Sequence, residues 1–149
     1  MESTEFYLNR IKIEQLINDG DKYFEKGVFN NESIDMDSIY LSLDKYREAY
    51  NILLIKSDKN NEIDVEYEAI CLSKLVKIMY KILKSKEAKD IYKLAMQSVN
   101  LGLSLHPKNV SKEKWYIEIA NITQEIRDQI GKTEEMSVHI FGIQDVYVP

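Results

Sequence analysis

Apolar residues recur at steps of three and four along most of the chain, the period of a helix with one buried face. Five stretches carry this pattern. The first runs from Thr4 to Gly27, with Ser3 or Thr4 as its cap and a stripe of Tyr7, Leu8, Ile11, Leu16, Ile17, Tyr23 and Phe24. The second runs from Asp37, read as an N-cap, to Lys56 through Tyr40, Leu43, Tyr46, Tyr50 and Leu53. The third, Ile63 to Lys84, is the most apolar and is predicted to be the central element. The fourth, capped by Ser85, reaches Leu105 and stops before Pro107, which lacks an amide hydrogen and disfavours helix in the residue before it. The fifth, capped by Ser111, carries Trp115, Tyr116, Ile119, Ile122 and Ile126 and is predicted to end at Gly131.

Beyond Gly131 the pattern changes. "SVHIFGIQDVYVP" is rich in β-branched and aromatic residues with partial alternation, which predicts extended chain. The expected architecture is therefore all-α. About five antiparallel helices form repeat-like hairpins or a bundle over residues 1–131, followed by an extended tail over 132–149. A lone strand is unstable in water. Ile140, Phe141, Ile143, Val146 and Tyr147 are thus expected to dock, onto these helices, a second chain or a following domain.

Composition narrows the classes. The chain has 149 residues, 44% hydrophobic and 30% charged, with five glycines and two prolines. That suits one globular domain of long helices. A net charge of -5 argues against nucleic acid as the main partner, because phosphate binding needs a basic surface. No run approaches a membrane span of about 20 apolar residues, so membrane insertion is not expected. The acidic, polar start "MESTEFYLNR" is unlike a signal peptide. Cys71 is the single cysteine, in the apolar stretch "EAICLSKLV", and reads as a buried small hydrophobe. A cytoplasmic protein is expected.

The third and first helices can be aligned at a constant offset of 53 residues, which sets Leu16, Gly20 and Tyr23 on Ala69, Ser73 and Val76. The same offset sets Ser42, Tyr46 and Ala49 on Ala95, Val99 and Gly102, and carries Leu54 onto Pro107. Tyr116, Ala120 and Thr123 form a third partial copy. In this order of large, small and aromatic positions the chain resembles the tetratricopeptide repeat family over residues 14–127. Small residues let the helices of a hairpin approach closely, and aromatics fill the space beside them. Two features depart from the family. Gly20 precedes Ser42 by 22 positions, where the family has about twelve, and Asp19 stands where it has an aliphatic residue.

The resemblance implies a groove lined by the first helix of each hairpin. Its positions here are Ile17, Asp21 and Phe24, then Ile70, Lys74 and Lys77, then Ile117, Asn121 and Gln124. Members that bind the acidic C-termini of heat-shock chaperones have a lysine and an asparagine where this chain has Ile17 and Asp21, so that activity is not expected. A partner with apolar anchors and some positive charge is.

Chemistry-bearing motifs are scarce. The sequence has no phosphate-cradling glycine loop, zinc-binding His-Glu helix or nucleophile elbow. His106 and His139 stand alone, and Glu118 and Glu125 share a helix face that reads as solvated. Asp19, Asp21 and Glu25 invite a calcium reading, but "DGDKYFEKGVFN" has glycine second and asparagine last, unlike a calcium-binding loop. Among the ten tyrosines, Tyr23, Tyr46, Tyr80 and Tyr92 are expected in the core, and Tyr40, Tyr67 or Tyr116 at a groove. The leading expectation is a non-enzymatic interaction or scaffold module, without cofactor or metal, binding a protein or peptide. The alternative is a structural or oligomerising bundle whose tail pairs with a neighbouring subunit or domain.

Overall fold

The computed structural model describes residues 4–28, 33–56, 60–84, 88–105 and 112–141. The described fold is all-α: α1 Thr4–Val28, α2 Met36–Lys56, α3 Glu62–Lys77, α4 Ala88–Leu105 and α5 Lys114–Phe141. A single π-helical turn, Ile78–Ile82, extends α3. Each helix packs on the next, and α3 also packs on α5. None is long and apolar enough to cross a membrane.

Helix α1 meets α2 antiparallel. The Ser42 hydroxyl donates to the Gly20 carbonyl at 2.7 Å, and the Asp35 amide donates to the Gly27 carbonyl at 2.9 Å. Helix α3 meets α4 in the same manner, the Ser98 hydroxyl donating to the Ala69 carbonyl at 2.7 Å. Donor and acceptor are 22 residues apart in the first hairpin and 29 in the second. The two bonds are thus related through Gly20 and Ala69, and through Ser42 and Ser98. A uniform offset of 53 does not superimpose them.

Two apolar cores lie on either side of α3. The first joins Leu16, Ile39, Leu43, Tyr46 and Leu53 to Cys71, Leu75 and Ile78 of α3 and its π turn. The second joins Val76 to Ile91, Ala95, Ile119, Ile122 and Ile126. Helix α3 is therefore the buried centre that its apolar content predicts. Burial pushes the Cys71 thiol up to about 12, so it remains a neutral core residue.

One helix cap departs from the sequence reading. The cap of α2 is Asp35, not Asp37. Its carboxylate accepts the Ser38 hydroxyl at 2.9 Å and the Ser38 amide at 3.4 Å, and these bonds lower its pKa. Helix α3 is capped by Asn61, whose Oδ1 accepts the Ile63 amide at 2.9 Å. The expected caps Ser85 and Ser111 lie outside the described residues.

Gly131 does not end α5, whose backbone stays helical to Phe141. The extended reading therefore fails over residues 132–141. The run Lys132 to Met136 holds good helix formers, and lengthening an existing helix costs far less than starting one. A Cβ built at Gly131 meets nothing within 4 Å. Gly131→Ala should accordingly stabilise the protein by about 0.5–1 kcal/mol in urea denaturation, where a glycine needed to stop the helix would make the change unfavourable.

Candidate groove across three helices

Helices α1, α3 and α5 share one face, on which a recess of about 480 Å³ opens. Helix α1 supplies Asp21, Phe24 and Glu25, and α3 supplies Ser73, Lys74 and Lys77. Helix α5 supplies Glu113, Lys114, Trp115, Glu118, Ile119 and Ile122 at and just before its first turns, and Tyr46 of α2 reaches the floor. The apolar part of the wall is Phe24, Trp115, Ile119 and Ile122. The ring of Tyr116 stands edge-on to Trp115 at 5.9 Å and 86°.

The charges on this face are paired across the helices. Lys74 Nζ lies 2.7 Å from Asp21 Oδ1 and 5.5 Å from the centre of the Tyr46 ring. Lys77 Nζ lies 3.2 Å from Glu118 Oε2 and 5.1 Å from the centre of the Phe24 ring. Each ammonium is thus held by a carboxylate and an aromatic face together. The Tyr46 hydroxyl donates to Asp21 Oδ1 as well. Burial, and then that bond, push the Tyr46 pKa well above its ordinary value, so the phenol remains a donor. Glu25, Glu113 and Lys114 lie exposed at the rim. Their side chains have no ion-pair or hydrogen-bond partner among the described residues.

Four of the nine groove positions expected from the sequence come together here: Asp21, Phe24, Lys74 and Lys77. The others do not. Ile17 is buried in the first core, because the α1 stripe turns it toward α2. Ile70 is half-buried outside the recess, and its carbonyl accepts the Ser73 hydroxyl. Ile117, Asn121 and Gln124 are exposed, and Gln124 bonds its own helix neighbour Asp128 at 3.0 Å. Helix α5 is rotated relative to the expected phase, so Trp115, Glu118 and Ile122 face the groove instead. The i, i+4, i+7 spacing of Trp115, Ile119 and Ile122 marks that face in the sequence.

Of the expected tail contacts, Ile140 and Phe141 belong to the helical backbone of α5, while Ile143, Val146 and Tyr147 lie outside the described residues. His106 lies outside them too. Tyr40 is exposed, and the Tyr67 hydroxyl donates to Glu14 rather than facing the groove. Asp19, Asp21 and Glu25 all lie within α1, so no calcium loop forms there. Among the described residues no cluster of three or more His, Cys, Asp or Glu side chains is placed to hold a metal.

Comparison of the chain with known protein families, with characterised proteins and with solved structures finds no match.

Proposed function

We propose that the protein is a non-enzymatic interaction module that takes a segment of a partner protein in the groove of α1, α3 and α5. The supporting observation is the combination of an apolar wall containing Phe24 and Trp115 with a rim whose lysines are largely engaged. Lys74 and Lys77 are each held by an acid and a ring, whereas the side chains of Glu25, Glu113 and Lys114 have no partner among the described residues, two acids against one base. The groove therefore offers apolar anchoring and net negative charge. The partner segment it fits has aliphatic or aromatic anchors flanked by lysine or arginine. Asp21, neutralised by Lys74 and Tyr46, positions the rim rather than recognising the partner. The tetratricopeptide-like order of small and large residues agrees with this use of first helices, and the family reading is part of the proposal.

Trp115 is the only tryptophan, so the groove reports on itself. Peptides selected from a random library against the purified protein should be basic with apolar anchors and should shift Trp115 emission on binding. The pair Glu25→Lys and Glu113→Lys should weaken them about tenfold, which is about 1.4 kcal/mol. Selected peptides that are acidic, or that leave Trp115 emission unchanged, would show that the groove is not the binding site. The oligomerising reading rests on α5, which runs on past Gly131. Light scattering separates the two: a dimer lost on deleting residues 132–149 favours that reading.

A further inference from the structure

The basic residues of this acidic protein are concentrated at one place. Between Ser73 and Lys93 the sequence has seven lysines against Glu87 and Asp90, while the whole chain carries -5. Their surroundings differ. Lys74 and Lys77 are paired with Asp21 and Glu118. Lys81 and Lys84, one and two turns on, are exposed and have no acidic partner among the described residues. They line a separate recess of about 470 Å³ with Tyr80 and Gln129, the latter from α5.

The backbone beneath this recess is unusual. The Leu83 amide donates to the Ile78 carbonyl at 2.9 Å, closing the π turn, and Lys84 then takes a φ of 49°. That left-handed conformation suits glycine and is unfavourable for lysine. π turns and left-handed non-glycine residues are both enriched at binding sites. Every side chain lining the recess can donate a hydrogen bond, and two carry positive charge. The acid that faces Tyr80 is Glu125, one turn before Gln129.

We infer that this recess binds a phosphate group, with the Lys81 and Lys84 ammoniums supplying charge and the Tyr80 hydroxyl a further donor. Two cations match a phosphate dianion, and three donors suit its several oxygens better than a single carboxylate. Glu125 opposes the anion.

The test uses the full chain labelled with nitrogen-15. Sodium phosphate should move the Lys84 backbone amide and Gln129 side-chain amide signals saturably, and sodium chloride at equal ionic strength should not. Lys81→Gln with Lys84→Gln should weaken phosphate at least about fivefold, the loss of two charge-assisted contacts. Lys84→Gly should raise Tm by about 2–4 °C through relief of the backbone while weakening phosphate. Co-sedimentation with phosphatidic acid vesicles, but not phosphatidylcholine vesicles, would place the same chemistry on a lipid headgroup, and a saturable shift with free phosphate alone would place it on a soluble ligand. Movement of the same signals by chloride overturns the proposal. So does unchanged phosphate affinity in Lys84→Gly, or the absence of both phosphate and vesicle binding.

Discussion

Gly20→Val is expected to destabilise the protein by roughly 3 kcal/mol, the upper end of the cost of overpacking a core. The glycine sits where α1 and α2 cross. A Cβ built there falls 2.5 Å from Tyr46 Cε1 and 2.8 Å from Cδ1, closer than carbon atoms approach without displacement. Tyr46 cannot easily yield. It is 2% exposed, and its hydroxyl is tied to Asp21, which is tied to Lys74. The α1 backbone cannot yield either without losing the buried bond from Ser42 to the Gly20 carbonyl. Gly20→Ala should cost less, because improved helix propensity offsets part of the clash. Urea denaturation of Gly20→Val, Tyr46→Leu and the double variant checks the mechanism. The double variant should be more stable than the sum of the single losses allows, since the smaller side chain makes room for the larger one. Simple additivity would place the strain elsewhere.

That glycine also shows how far the sequence could be read. The helical period around Leu16, Ile17, Tyr23 and Phe24 leaves one small position facing the neighbouring helix, and Gly20 occupies it. The same period identifies α3 as central, because it is the most apolar of the five stretches. Both readings depend on short-range spacing, which a rigid helix carries faithfully into three dimensions. Features set by tertiary register were harder to read. Asp21 and Phe24 of α1 converge with Lys74 and Lys77 of α3, but Ile17, Ile70 and the three positions on α5 do not. The rotation of α5 is set by its packing on α3 and α4, and tertiary packing of this kind leaves no periodic trace. The π turn is similarly hidden: Lys77 to Leu83 keeps a helix-like pattern, while one widened turn shifts the phase of everything after Ile78.

Local propensity misled at α5. Val138, Ile140 and Phe141 favour strands in isolation, yet they follow about six and a half turns of established helix. Extending that helix adds one hydrogen bond for each residue fixed, whereas a single strand has nothing to pair with. Gly131 misled in the opposite direction. It resembles a helix stop because glycine is common at C-termini, but the stop requires a left-handed backbone, and none is seen there.

The other large effect is expected at the ion pair between α1 and α3, which the apolar pattern passes over. Arg10 Nε lies 3.1 Å from Asp64 Oδ1, with the side chains only 14% and 3% exposed. Water barely screens such a pair, so the weak contribution usual for surface ion pairs does not apply. Burying both charges costs several kcal/mol in lost hydration, and their mutual attraction compensates only while both are present. Arg10→Ala removes the cation and takes this contact from the nearly buried Asp64 carboxylate at the start of α3. The expected loss is about 3–5 kcal/mol, comparable with much of the stability of a domain this size. The double variant Arg10→Met with Asp64→Leu should recover most of it, because it removes both desolvation costs and fills the space. A groove resting on α1 and α3 also requires these helices to keep their relative position. Trp115 emission and peptide affinity should therefore survive in the double variant and suffer in the single one. A loss below about 1 kcal/mol for Arg10→Ala would mean the pair behaves like a surface contact, and the α1–α3 junction would then owe its alignment to the Asp21–Lys74 pair and the cores beneath it.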